Sequence, residues 1–122
     1  MIDETRKILH APALRVTATA ARVPVPNCHC ESVNVEFERP CTLQEVRSAL
    51  ENGAGVKVLD DPDTATYPLP GETSGKDDVY VGRIRLDESV ESGVNLWIVA
   101  DNILKGAALN AVQILELITR EA

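Results

Sequence analysis

A chain of 122 residues is long enough for one domain with a core and too short for two. Hydrophobic residues at 44%, charged residues at 25% and a net charge of −7 suit a globular protein and argue against a nucleic-acid backbone as partner. Aromatic residues at 3% disfavour base-stacking surfaces and require a core built from Val, Leu, Ile and Ala.

No apolar run is long enough to span a bilayer, and the opening MIDETRKILH has no apolar signal-peptide core. A cytoplasmic protein with no membrane partner is the expectation. Three cysteines, an odd count, are then expected as free thiols.

In chain order, Met1 to His10 reads as the end of a helix, with Asp3 or Thr5 as cap and His10 and Pro12 as stop. Leu14 to Val25 reads as a strand of small and β-branched residues, bent by Pro24 and Pro26. Glu31 to Glu38 alternates, with Val33, Val35 and Phe37 on one face and Ser32, Asn34, Glu36 and Glu38 on the other. Thr42 to Asn52 is a helix opened by a Thr42–Glu45 capping box, striped with Leu43, Val46, Ala49 and Leu50, and ended by Gly53.

Val56 to Leu59 is a short strand and Asp60 to Asp77 a loop. Asp78 to Leu86 and Val94 to Ala100 are strands joined by an acidic turn. Ile103 to Ile118 reads as one helix, apolar around more than half its circumference, which calls for cover on several sides. The fold class is α+β: a mixed or antiparallel sheet with helices on one face, in a single domain over residues 1–122 with no repeat or linker.

Four stretches could carry chemistry. Cys28, His29, Cys30 and Cys41 offer soft ligands within fourteen residues, but the spacing is C-x-C. An extended chain turns His29 away from both flanking thiols, so buried or half-buried thiols are expected and no metal. A nucleophilic thiolate would need a base or a helix N-terminus beside it. Arg22 and His29 could grip a carboxylate and move a proton, yet by spacing alone they are polar residues at a strand end. Arg83 and Arg85 share a strand face with Val81, opposite Tyr80, Gly82 and Ile84, and read as solvated. Asp101 or Asn102 caps the last helix, with Lys105 and Asn110 on its polar face.

Taken together, "ETRKIL", "LRVTATAARVPVP", "HCESVNVEFERP", "GKDDVYVGRIR" and "NLWIVADNILKGAALNAVQI", in that order, resemble the C-terminal half of bacterial aspartate-semialdehyde dehydrogenase. The resemblance runs from about Asp3 to the end. It implies the C-terminal domain fold of enzymes similar to glyceraldehyde-3-phosphate dehydrogenase. It implies NADPH-dependent reductive dephosphorylation of β-aspartyl phosphate, on the path to lysine, threonine and methionine, through a thioacyl intermediate on a cysteine of the first half.

By the same resemblance His29 matches the general acid/base, Arg22 the grip on the substrate carboxylate and Asn102 the contact to the nicotinamide end of NADP. The sheet builds a dimer interface, for a homodimer or a dimer with a full-length subunit. The helix at residues 103–119 packs on a dinucleotide-binding domain that this sequence does not contain. The sequence has no G-x-G-x-x-G, and none of Cys28, Cys30 and Cys41 matches the family nucleophile. The family's glutamate and lysine that help bind substrate and phosphate fall just before "ETRK". Cys28 and Cys30 stand where the family has a small residue and a serine, and Ala20 where a cysteine is common. The chain alone is therefore expected to be inactive. The alternative is a non-catalytic dimerisation or interaction protein derived from the same family.

Overall fold

The computed structural model describes residues 1–120. Four strands form one mixed sheet, and they are set by the apolar positions that have to be buried. β1 (His29–Glu36) pairs antiparallel with β4 (Gly93–Ala100), β4 antiparallel with β3 (Val79–Leu86), and β3 parallel with the short β2 (Val56–Val58). The order across the sheet is β1-β4-β3-β2. The two central strands supply the core: Val94 and Val99 are fully buried, with Val81 and Ile84 beside them. Burying each of these side chains contributes roughly 1.5–2 kcal/mol. It is an aliphatic core, as the scarcity of aromatic residues requires.

The helices follow local chemistry. α1 (Ile2–Ile8) starts at Met1, not at Asp3 or Thr5; the Thr5 hydroxyl donates back to Met1 O instead of capping. α2 (Leu43–Glu51) opens with the capping box. Thr42 Oγ1 accepts the Glu45 N–H at 3.2 Å and Glu45 Oε2 accepts the Thr42 N–H at 2.7 Å. Its half-buried Leu43, Val46 and Leu50 lie against β2 and β3. The long connection that reads as loop contains a four-residue helix, α3 (Pro70–Thr73), with proline in its first turn, and this packs against β4.

Two further expectations are overturned. Leu14 to Val25 is not a strand: it pairs with no described strand, and its side chains are exposed throughout except for Val16. Alternation makes a strand only where a neighbour satisfies the backbone; here the Val25 N–H turns back onto Val23 O around Pro24.

The last helix is broken as well. Lys105, Gly106 and Ala107 leave helical geometry, with Gly106 at φ +78° and its N–H donating to Asn110 Oδ1. Glycine is the residue that permits that turn. α4 (Leu109–Arg120) follows it, and none of its side chains is buried.

Two buried carboxylates fix irregular backbone. Between Gly82 and Arg85 three steps of β3 face two steps of β4, from Trp97 to Asn95, which is a β-bulge. Arg83 takes φ +53° there. Asp60, its side chain 4% exposed, accepts the N–H of Arg83 at 2.6 Å and pairs with Arg47. Gly82 and Ile84 are buried, while Arg83 and Arg85 remain exposed, Arg83 over the ring of Tyr67. The second carboxylate, Asp101, lies at the candidate site.

Candidate active site

His29 is the first residue of β1 and sits opposite Ala100, the last residue of β4. Asn102 follows two residues later. Adjacent strands lie about 4.8 Å apart and each residue advances about 3.3 Å, so the register brings His29 and Asn102 to one end of the sheet, on the order of 10 Å apart. His29 is exposed and Asn102 half-buried. Arg22 lies on the unpaired segment leading to β1, exposed, without an ion pair or hydrogen bond to either residue. The fold thus brings the backbone positions of two of the three residues named by the resemblance to one sheet end and leaves the third on open chain.

The approach to His29 is built with care. Cys28 is 6% exposed and left-handed at φ +78°, and its thiol donates to Pro70 O at 3.3 Å. Burial pushes this thiol's pKa up, and the nearby Asp101 charge and Cys30 add to that. Burial raises Cys30 too. Both stay protonated near neutral pH and are poor nucleophiles. Asn27 Nδ2 donates to Ser74 Oγ at 3.0 Å.

Cys41 lies elsewhere, beside Ser92 ahead of β4. Cys28 precedes the residue paired with the far end of that strand. Eight residues of strand put roughly 20 Å or more between them, so one ion cannot hold both. Among the described residues no group of three His, Cys, Asp or Glu side chains could hold a metal.

Asp101 is the residue whose weight sequence reasoning understated, reading it only as a possible cap. It is 3% exposed. Its Oδ2 accepts the Gly75 N–H at 2.7 Å and its Oδ1 the Ile103 N–H at 2.9 Å. The Gly75 N–H first, and the Ile103 N–H next, hold its pKa below the ordinary carboxyl range. The signal in the sequence was an acid directly after an apolar strand; the glycine it reaches, 26 positions earlier, carries none.

Comparison with known proteins gives the class and then the relatives. The family described as "Semialdehyde dehydrogenase, dimerisation domain" matches residues 1–105, and the chain belongs to it. Within that class its relatives are aspartate-semialdehyde dehydrogenases. The Aquifex aeolicus protein is 49% identical over 121 residues, 99% of this chain and 36% of its own. The Prochlorococcus marinus protein is 50% identical over 118 residues, 97% of this chain and 34% of its own. The solved aspartate semialdehyde dehydrogenase II of Vibrio cholerae, complexed with ASA, superposes with a TM-score of 0.91 at 45% identity, over 98% of this chain and 35% of that one. This chain therefore spans about a third of the length of the curated relatives it matches.

Proposed function

We propose that this chain is the C-terminal part of an aspartate-semialdehyde dehydrogenase, acting on β-aspartyl phosphate and aspartate semialdehyde with NADP. The observation that carries the proposal is the His29–Ala100 register, which brings an exposed imidazole and the Asn102 amide to one end of the sheet.

In this reading His29 is the general acid/base, taking and returning a proton beside a thiol supplied by the rest of the enzyme. Arg22 grips the substrate carboxylate, for which a guanidinium fork is suited. Its open segment is free to settle when substrate and the remaining part of the site are present.

NADP, when bound, would be the group that supplies or accepts the hydride. The half-buried Asn102 amide, which can both donate and accept, fits the carboxamide at the nicotinamide end. The sequence offers no Gly-rich loop for the phosphates, so this chain's share of the cofactor site is that one end. The protonated, buried state of Cys28 supports placing the nucleophile outside this chain.

The sheet serves dimerisation, as a homodimer or with a full-length subunit. The segment at residues 103–119 belongs against the cofactor domain. Val112, Ile114, Leu115, Leu117 and Ile118 are each more than half exposed, an apolar surface that a partner domain would cover. No described helix is long and apolar enough to cross a membrane, and a cytoplasmic biosynthetic role fits the composition.

Two measurements test the assignment. Light scattering behind a sizing column is expected to give a dimer; a uniform monomer would refute the role of the sheet. The purified chain, given aspartate semialdehyde, phosphate and NADP⁺, is expected to form no NADPH. Formation above a His29→Ala control would refute the division of the site between two parts.

A further inference from the structure

The approach to His29 is fixed at points that converge on one carboxylate. Asn27 donates to Ser74 Oγ and the Cys28 thiol to Pro70 O, so the two residues before His29 lie against α3 and the turn after it. Cys28 is left-handed, a conformation that non-glycine residues hold only when the surroundings impose it. The turn at 74–75 is held in its own place by Asp101, whose Oδ2 accepts the Gly75 N–H. The other oxygen of the same carboxylate accepts the Ile103 N–H and closes the turn that carries Asn102. The Asp101 backbone carbonyl then accepts from Leu104 and Lys105. The titratable group beside this carboxylate is the Cys28 thiol.

We propose that Asp101 is a positioning residue that clamps the Asn102 turn with one oxygen and the α3 turn under Asn27 and Cys28 with the other, and so fixes where His29 stands relative to Asn102. The proposal rests on the reading of His29 and Asn102 as site residues, but it is tested without turnover.

The experiment follows the backbone amide signals of His29 and Asn102 by NMR at one fixed pH in the full chain, in four forms: unchanged, Asp101→Asn, Asn27→Ala and Asp60→Asn. Asp101→Asn keeps the side-chain shape and removes the second acceptor, and is read at His29. Asn27→Ala changes no charge and is read at Asn102, far from it in sequence, so any effect there comes through geometry. Asp60→Asn weakens the remote bulge and serves as the stability control.

The expected result is that Asp101→Asn displaces the His29 amide signal and Asn27→Ala displaces the Asn102 amide signal, while Asp60→Asn displaces neither. Should Asp101→Asn fail to fold, the Asn102 signal in Asn27→Ala decides alone. An Asn102 signal unchanged in Asn27→Ala, or both signals displaced equally in Asp60→Asn, overturns the proposal. Displaced signals in a chain that cannot complete a working enzyme would refute the function and leave the positioning intact.

Discussion

Asp60 accepts the backbone N–H of Arg83 across the start of the long connection, and Arg83 is held left-handed at φ +53°. The same carboxylate accepts the Ile84 N–H at 3.4 Å and pairs with Arg47. Removing it leaves a half-buried guanidinium and two backbone donors without a partner. Asp60→Ala is expected to lower stability by about 2–4 kcal/mol in urea unfolding. Arg83→Gly, which relieves the left-handed strain and gives up the contact with Tyr67, is expected to stay within about 1 kcal/mol of the parent. Equal losses in the two variants would mean that the bulge is not held by Asp60.

Gly82 has no room for a side chain. A Cβ there would come 2.3 Å from Leu59 O and 2.6 Å from Pro68 Cδ, neither of which belongs to a flexible side chain. Gly82→Ala is expected to cost about 3 kcal/mol or to prevent folding, read by thermal unfolding. Gly71, whose Cβ would meet nothing within 4 Å, is the contrasting site; Gly71→Ala is expected to be near neutral.

The depressed Asp101 carboxyl ties stability to pH. Its folded pKa lies below its unfolded value, which is about 3.9. The stabilisation is therefore complete above that value and is lost as pH falls through the folded pKa. Urea midpoints of the parent and of Asp101→Asn are expected to differ at pH 7 and to converge below about pH 4. A constant gap down to pH 2 would mean that the carboxylate charge is not what the Gly75 and Ile103 N–H groups hold.

Thiol reactivity should follow burial. Cys28 is the most buried of the three cysteines, and burial, the Asp101 charge and Cys30 each raise its pKa. Under native conditions iodoacetamide is expected to modify Cys28 last, and faster in Asp101→Asn, where one cause of the raised pKa is gone. Mass spectrometry of the digested chain reads the order. Early labelling of Cys28 would contradict the buried thiol and would reopen a nucleophilic role for it.

Much of this architecture can be read from residues alone, and the failures have physical reasons. The capping box of α2 and the alternation of β1 are local signals, and the structure keeps them with boundaries shifted by a residue or two. The segment Leu14 to Val25 has an equally good strand pattern but no neighbour to pair with, and no local pattern reveals that. Apolar periodicity carries a helix through Ile103 to Ile118, yet Gly106 allows the backbone to break it. At the site, residue type leaves His29 a polar strand-end residue and Asn102 a cap, and only the family resemblance singles them out; their nearness depends on a β1–β4 register spanning some seventy residues. The clamp depends on an acid meeting a glycine 26 residues away, which only the folded chain brings about.

The most direct test of the central claim is a chimera in which this chain replaces the matching third of the Aquifex aeolicus relative. The measurement is NADPH formation from aspartate semialdehyde, phosphate and NADP⁺. The chimera is expected to turn over, to lose about a hundredfold or more in kcat with His29→Ala, and to show a raised KM for the semialdehyde with Arg22→Ala. A folded, dimeric chimera that turns over equally well with and without His29 would contradict the claim.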